Sequence, residues 1–119
     1  MSFRFESLDI WKVARSFATT VFTATAGFPR KEEYGLTSQM NRAVNSIGLN
    51  IAEGSGKRSN KAFDYHLEIA IGSAYEVAAA SCLALDRAYI SPDQQSEISS
   101  GAERLCKSIN AFRNTLRQD

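Results

Sequence analysis

Residues 42–54 of this 119-residue chain read RAVNSIGLNIAEG, and this stretch carries the strongest structural signal in the sequence. Together with Met40, its small and apolar residues recur every three or four positions, which is the period of one face of an α-helix. This stripe consists of Met40, Ala43, Ile47, Ile51 and Gly54. The polar residues beside it are Arg42, Asn45, Ser46, Asn50 and Glu53. We therefore predict a helix with one buried face, which ends at Gly54 in a left-handed conformation.

Three other segments show the same period, at about 8–25, about 59–89 and from 91 onward. No segment shows the alternation of apolar and polar residues that is typical of a strand. Because the connection between the last two helices is very short, neighbouring helices are expected to be antiparallel. The predicted fold is all-α: an antiparallel up-down-up-down four-helix bundle, with residues 1–119 as a single domain.

Polar residues at the start of each segment are candidates for capping the helices. We expect Ser7, Thr37, Ser59 and Ser91 to accept hydrogen bonds from free backbone N–H groups. Turns are predicted near Gly35, Gly56 and Ile90.

Composition excludes few function classes, but it bears on the partners and the cellular location of the protein. The formal net charge is +1 and 44% of residues are hydrophobic, so nothing global favours a nucleic acid or membrane partner. No apolar run approaches the ~20 residues of a membrane span, and the N-terminus lacks the layout of a signal peptide. Cys82 and Cys106 lie among apolar residues and are predicted to be reduced core thiols. A cytoplasmic location is expected.

Residue patterns that support catalysis or metal binding are sparse. His66 is the single histidine, and Phe63 stands where a Glu-x-x-His metal motif needs its glutamate. The run at 54–57, Gly-Ser-Gly-Lys, lacks the spacing of a phosphate-binding loop. We expect no metal, no cofactor and no enzymatic activity. One enzymatic alternative stays open, in which a pair among Glu53, Glu68 and Glu76 acts as acid and base.

The helix at 42–54 resembles the four-helix-bundle family whose founders are encoded in intervening sequences of bacterial large-subunit rRNA genes. The resemblance rests on Arg42, Ser46, Ile47, Asn50, Ile51, Ala52, Glu53, Gly54 and Arg58, with further matches at 72–76 and 5–11. The chain is also similar to accessory proteins of diversity-generating retroelements. That similarity implies a ring-shaped homo-oligomer, with a pentamer favoured, which binds RNA or DNA and a polymerase-type protein partner.

Six polar residues of the second and third helices are predicted to form a network. They are Arg42, Ser46, Asn50, Glu53, Glu68 and Glu76. In the structural interpretation, Arg42 is buried and pairs with Glu68 or Glu76, since buried polar groups need hydrogen-bond partners. In the alternative, the same residues form a ligand site.

A second group of residues is basic. Lys57, Arg58 and Lys61 lie within five residues, and an up-down bundle brings the end of the last helix, with Arg113 and Arg117, to the same end. Clustered cations can neutralise phosphates and release counterions, so these five residues are the candidate nucleic-acid-binding residues. Glu103 and Asp119 are expected nearby and would weaken the positive field.

Two interpretations of function follow, besides the enzymatic one. The first is an oligomeric accessory protein that associates with nucleic acid or ribonucleoprotein. The second is a protein-interaction scaffold without nucleic-acid contact. The sequence has more large apolar residues than the core of one bundle requires, namely Trp11, Phe17, Phe22 and Tyr65. Exposed apolar patches usually mark an interface, so we predict that the protein is not a monomer.

Overall fold

Four α-helices account for most of the computed structural model, which describes residues 2–117. Helix α1 spans Asp9–Thr25, α2 spans Leu36–Ser55, α3 spans Asn60–Asp86 and α4 spans Pro92–Arg117. Short 3₁₀ helices at Arg4–Ser7 and Arg30–Glu32 precede α1 and α2. No strand occurs in the described part of the chain, so the predicted all-α bundle is confirmed. Asp119 lies outside the described residues.

The helices form a closed circuit in which each one packs against its neighbours in sequence, and α4 returns to α1. Side-chain contacts show the antiparallel order. The Asn41 amide, near the start of α2, donates to the Thr25 hydroxyl at the end of α1. At the opposite end of the molecule, the Asn60 amide donates to the Leu116 carbonyl. The bundle measures 46 × 25 × 20 Å.

The buried stripes anticipated from the sequence meet in one core. Its largest fully buried side chains include Phe63, Met40, Ile47, Leu67 and Leu105. By length and composition alone α3 would also pass for a membrane-spanning helix, and 39% of its most apolar window is buried inside the bundle. A core helix of a bundle passes the same test, since it is apolar on more than one side.

Two of the four predicted caps are confirmed. The Ser59 hydroxyl accepts from Ala62 N–H at 3.1 Å. At the start of α4, the Ser91 hydroxyl accepts from Gln94 N–H at 3.1 Å, and the Gln94 side chain accepts from Ser91 N–H at 2.8 Å. This reciprocal arrangement is a capping box.

The other two caps were predicted wrongly. Leu8 occupies the cap position of α1, and the Ser7 hydroxyl instead donates to the Arg4 carbonyl. Helix α2 starts one residue before Thr37, and its first N–H, from Leu36, donates to the Glu32 carboxylate. The Glu32 carboxylate, five residues before the predicted cap, takes this role because the chain between the helices folds back as a 3₁₀ turn.

The predicted role of Gly54 as a left-handed terminator is also wrong. Helix α2 continues to Ser55, and no described glycine has a positive φ. Glycine is needed at position 54 for space: a Cβ there would lie 2.7 Å from His66 Cβ and 2.8 Å from Phe63 Cδ1. Gly54 therefore lets α2 and α3 approach closely just before their turn.

The prediction that both cysteines lie in the core is wrong. Cys82 is exposed and Cys106 is half-buried, and both are free thiols. Ser81, which is fully buried, takes the inward position next to Cys82. Partial burial raises the pKa of the Cys106 thiol, with a smaller contribution from the charge of Glu103.

Candidate nucleic-acid interface

The basic turn, which we define as Lys57, Arg58 and Lys61, joins α2 to α3 and lies at one end of the bundle. All three residues are exposed. None of the salt bridges among residues 2–117 involves them. The turn is short because α2 closes on hydrogen bonds from Gly56 N–H and Lys57 N–H, while the Ser59 cap starts α3 almost at once. The three cations are therefore presented on a well-defined backbone.

The C-terminal end of α4 lies beside this turn, as predicted, but its arginines differ from the cations of the turn. Arg113 donates from Nε and Nη2 to the two carboxylate oxygens of Asp64, at 2.7 and 3.1 Å. Arg117 lies 3.5 Å from the same carboxylate. The Arg113 side chain is 13% exposed, whereas that of Arg117 is 59% exposed. Arg113 is committed to an internal ion pair, and Arg117 alone of the two keeps a largely free surface.

Electrostatics at this pair follow from its geometry. Hydrogen bonds from Arg113 lower the pKa of Asp64, and the charge of Arg117 acts in the same direction. The same bonds raise the pKa of Arg113, with a further contribution from the charge of Glu68. A bidentate, partly buried pair of this kind ties α3 to α4 and neutralises one cation of the predicted patch.

Arg4 adds a cation that the sequence did not single out. Its guanidinium lies 5.1 Å from the centre of the Phe63 ring, in the first turn of α3. Arg4 is exposed and takes part in no salt bridge within the described chain. Arg4 is flanked by Phe3 and Phe5, which was the available sequence signal. Its position depends on how the N-terminal turn folds back onto α1 and α2.

The predicted polar network exists in part, with different members. The chain of hydrogen bonds, which we call the polar ladder, comprises Ser46, Asn50, Glu53, His66 and Ser73. The Asn50 amide donates to the Ser46 carbonyl and hydroxyl at 2.9 and 3.0 Å. The Ser73 hydroxyl donates to the Ser46 hydroxyl at 3.0 Å. His66 Nδ1 meets Asn50 Oδ1 at 3.1 Å, and its Nε2 lies 3.4 Å from the Glu53 carboxylate.

The Asn50 amide determines the role of one ring nitrogen of His66, Nδ1, in the hydrogen bond between them. The Asn50 amide nitrogen faces a backbone carbonyl, so its oxygen faces His66 and can only accept. Nδ1 is therefore a donor. The ladder fastens α2 to α3 and specifies how the two helices align.

The predicted buried pairing of Arg42 is wrong. Arg42, Glu68 and Glu76 are exposed, and none of them belongs to the polar ladder. Arg42 and Glu76 line an open groove with Ser46 and Ser73, but no salt bridge joins them. Glu68 instead acts on Arg113. Long charged side chains at the edge of a helix pair gain little from pairing in water, whereas the short Ser73 and the ring of His66 fit between the helices.

The network predicted from the sequence included neither His66 nor Ser73. The available signal was their spacing: residues seven apart lie on one face of α3, opposite the polar face of α2. The alignment of the two helices decides whether these faces meet, and one sequence does not reveal that alignment.

The opposite end of the bundle holds a second charged cluster, which we call the Glu32 clamp. The Glu32 carboxylate accepts from Leu36 N–H at 3.1 Å, from the Tyr89 hydroxyl at 2.8 Å and from Arg87 at 3.1 Å. These bonds, led by that from Leu36, lower the pKa of Glu32. The bond to Glu32 raises the pKa of Tyr89. The clamp joins the α1–α2 connection to the α3–α4 connection.

Glu103, which was expected to weaken the field of the basic turn, pairs with Lys107 within α4 at 3.3 Å. Within residues 2–117, no three histidine, cysteine, aspartate or glutamate side chains gather as a metal site would require.

Comparisons with known proteins agree with this fold. No curated protein matches the chain. The chain is similar to a protein of unknown function from the S23 ribosomal protein family of Bacteroides thetaiotaomicron VPI-5482, whose crystal structure was solved at 1.70 Å. The TM-score is 0.77 at 22% sequence identity, and the match covers 87% of this chain and 97% of the other. At this identity the likeness shows the fold alone. A match to the family described as 23S rRNA-intervening sequence protein spans residues 6–111, and the chain therefore belongs to that family.

Proposed function

We propose that this protein is a non-enzymatic, cytoplasmic, oligomeric accessory protein that associates with nucleic acid or ribonucleoprotein through the basic turn. One observation carries the proposal. Lys57, Arg58 and Lys61 are exposed and outside every salt bridge of the described chain, while Arg113 at the same end is neutralised by Asp64. Unpaired cations on a fixed backbone offer phosphate groups a site with no ion pair to break.

The net charge of +1 does not oppose this proposal, since binding depends on local potential. Arg4 and the exposed Arg117 extend the positive surface beyond the basic turn. Each copy of the chain offers only a few phosphate contacts. Several copies in one assembly would act together through high effective concentration.

An assembly of identical chains is supported by the outer face of α3. Tyr65, Ile69 and Leu83 are 63%, 37% and 45% exposed, and their spacing places them on one stripe with Gly72, Ala79 and the charged Glu76. This stripe lies opposite the buried face of the helix. Trp11 and Phe17, by contrast, are used inside the bundle, where they pack against Gly48 and Gly101. We propose a homo-oligomer that uses the α3 stripe, with a pentameric ring favoured and a polymerase-type partner as a further component.

The carboxylates do not favour the enzymatic alternative. Glu53 is engaged by His66. Glu68 and Glu76 are eight residues apart on one helix, hence roughly 12 Å along its axis. Paired catalytic carboxylates of glycosidases lie within about 9.5 Å of each other.

The scaffold interpretation remains the second candidate, favoured by the exposed apolar side chains of the same α3 stripe. A titration separates it from the first. Structured RNA and DNA are titrated with the wild type at low and moderate salt, and with a variant in which Lys57, Arg58 and Lys61 are all changed to glutamate. We expect wild-type binding at low salt that weakens steeply with salt, and little binding by the variant. Absence of wild-type binding, or equal binding by both proteins, would leave the scaffold in front.

The oligomer is tested separately by light scattering at micromolar concentration. We expect a mass several times the 13.1 kDa of one chain. A mass near that of one chain would contradict the proposed assembly.

A further inference from the structure

Phe3 presents an aromatic ring to solvent at the end of the molecule that carries the basic turn. Its side chain is 72% exposed. The ring stacks on Phe5 with centroids 5.7 Å apart and planes at 21°. Phe5 in turn meets Trp11 edge-on at 4.7 Å, and Trp11 lies against Gly48 of α2. The exposed ring is therefore the last member of a continuous aromatic stack that is anchored in the bundle.

The backbone around Phe3 is held as firmly as its ring. Phe3 N–H donates to the Glu6 carboxylate at 2.9 Å, and Glu6 N–H donates to the Phe3 carbonyl at 3.2 Å. These reciprocal bonds fix the 3₁₀ turn that follows. The Phe3 ring is therefore a flat apolar surface that loses little conformational freedom when a ligand binds.

Cations lie beside this ring. Arg4, the next residue, packs over Phe63 in the first turn of α3. Gly54 contacts the same Phe63 from the end of α2, and the basic turn connects these two helices. An exposed aromatic ring and a group of unpaired cations thus occupy one end of the bundle.

We propose that this end prefers single-stranded over double-stranded nucleic acid, with an unpaired base stacked on Phe3 and the phosphates following Arg4 and the basic turn. The inference rests on the proposed nucleic-acid function. Bases in a duplex are stacked on each other and shielded from a protein ring, whereas bases of a single strand are free to stack on an aromatic side chain. Every base has a flat face, so stacking adds strand preference without sequence preference.

The test measures binding of labelled single-stranded RNA, single-stranded DNA and a duplex of the same sequence by fluorescence anisotropy. The proteins are the wild type, Phe3→Ala, Phe3→Leu and Phe3→Trp. We expect the wild type to bind either single strand more tightly than the duplex. Phe3→Ala should lower single-strand affinity about 5- to 150-fold, which corresponds to about 1–3 kcal/mol for one stacked base. Phe3→Leu should lose a similar factor because it keeps apolar bulk without a ring, and Phe3→Trp should restore binding. Duplex affinity should not change.

The outcomes separate this inference from the function on which it rests. Failure of the wild type to bind any of the three probes overturns both. Equal binding of single strands and duplex, unaffected by Phe3→Ala, overturns the inference and leaves the basic turn as a general phosphate site. Circular dichroism and light scattering check the variants. A loss of oligomer mass in Phe3→Ala would assign the ring to a contact between copies and overturn the inference.

Discussion

The two ends of this bundle use charge in opposite ways. At one end, the Glu32 carboxylate takes hydrogen bonds from the start of α2, from Tyr89 and from Arg87, so that two connections are locked together. At the other end, Lys57, Arg58 and Lys61 are left outside every salt bridge of the described chain. The second end is held by the packing of Phe63 beneath Arg4 and against Gly54, and by the internal pair of Arg113 with Asp64. Because none of these contacts uses Lys57, Arg58 or Lys61, the cations of the basic turn stay free for a partner.

The largest effect we expect comes from removing that packing. Phe63→Ala should lower the free energy of unfolding by about 3–5 kcal/mol, since Phe63 is 1% exposed and its loss leaves a cavity between Gly54 and Phe112. Chemical denaturation measures the change. Phe22→Ala, at a residue 65% exposed, is the matched control and should shift stability by less than about 0.5 kcal/mol. Similar losses for both variants would mean that packing does not hold the basic end.

Asp64→Asn removes the charge that neutralises Arg113, and we expect a loss of about 1.5–3 kcal/mol at neutral pH. The folded-state pKa of Asp64 is lowered, so its contribution is complete above the unfolded pKa of about 3.9 and disappears as pH falls through the folded value. Denaturation of wild type and variant at pH 7 and pH 3 tests this sign. Glu103→Gln, in the exposed pair with Lys107, should cost at most about 0.5 kcal/mol. A difference between Asp64→Asn and wild type that grows towards acid pH would contradict the lowered pKa.

A stabilising change is expected at the clamped end. Ala88, in the α3–α4 connection, has φ of 59°, a left-handed conformation that is unfavourable for a residue with a Cβ. Ala88→Gly should raise stability by about 1 kcal/mol. Ala79→Gly, at an exposed position inside α3, is the control and should lower stability by about the same amount. A destabilised Ala88→Gly variant would contradict the claim that the positive φ of Ala88 is unfavourable.

The smallest effect should follow Glu32→Gln. The amide oxygen can still accept from Leu36 N–H, and the Tyr89 hydroxyl can turn to accept from the new NH₂ group, so mainly the charge interaction with Arg87 is lost. Because the folded-state pKa of Glu32 is lowered, the loss should be complete at pH 7, begin to shrink below the unfolded value of about 4.3 and vanish as pH falls through the folded value. Melting temperatures across this range measure it. A loss larger at pH 3 than at pH 7 would be the wrong sign.

Local sequence was sufficient for the helices and for some of their ends. The periodic stripes predicted four antiparallel helices, and Ser59 and Ser91 cap α3 and α4 because each cap involves residues only three apart. Errors arose where two helices meet. Position 54 requires glycine because Phe63 and His66 approach it closely. The alignment of α2 with α3 decides which residues bind Asn50 in the polar ladder. Cys82 points outward because Ser81 takes the inward position, a choice between adjacent residues that a stripe of small residues does not resolve.

The sequence likewise predicted which segments of the candidate site lie together, but not how their side chains pair. Proximity of the basic turn to the end of α4 follows from an up-down topology. Pairing of Arg113 with Asp64 does not, since it depends on which face of α4 turns towards α3. The position of Arg4 depends on the fold of the N-terminal turn, which no helical period describes.

The central claim is that the unpaired end of the bundle, and not the clamped end, binds nucleic acid. The most direct test compares two charge reversals of equal size in the same titration with structured RNA at low salt: Lys57→Glu with Arg58→Glu, and Arg30→Glu with Lys31→Glu beside the Glu32 clamp. All four residues are exposed, and each pair changes net charge equally. We predict that the first pair abolishes most of the binding and the second weakens it only slightly. Equal losses from the two pairs, or a larger loss from Arg30 and Lys31, would contradict the claim.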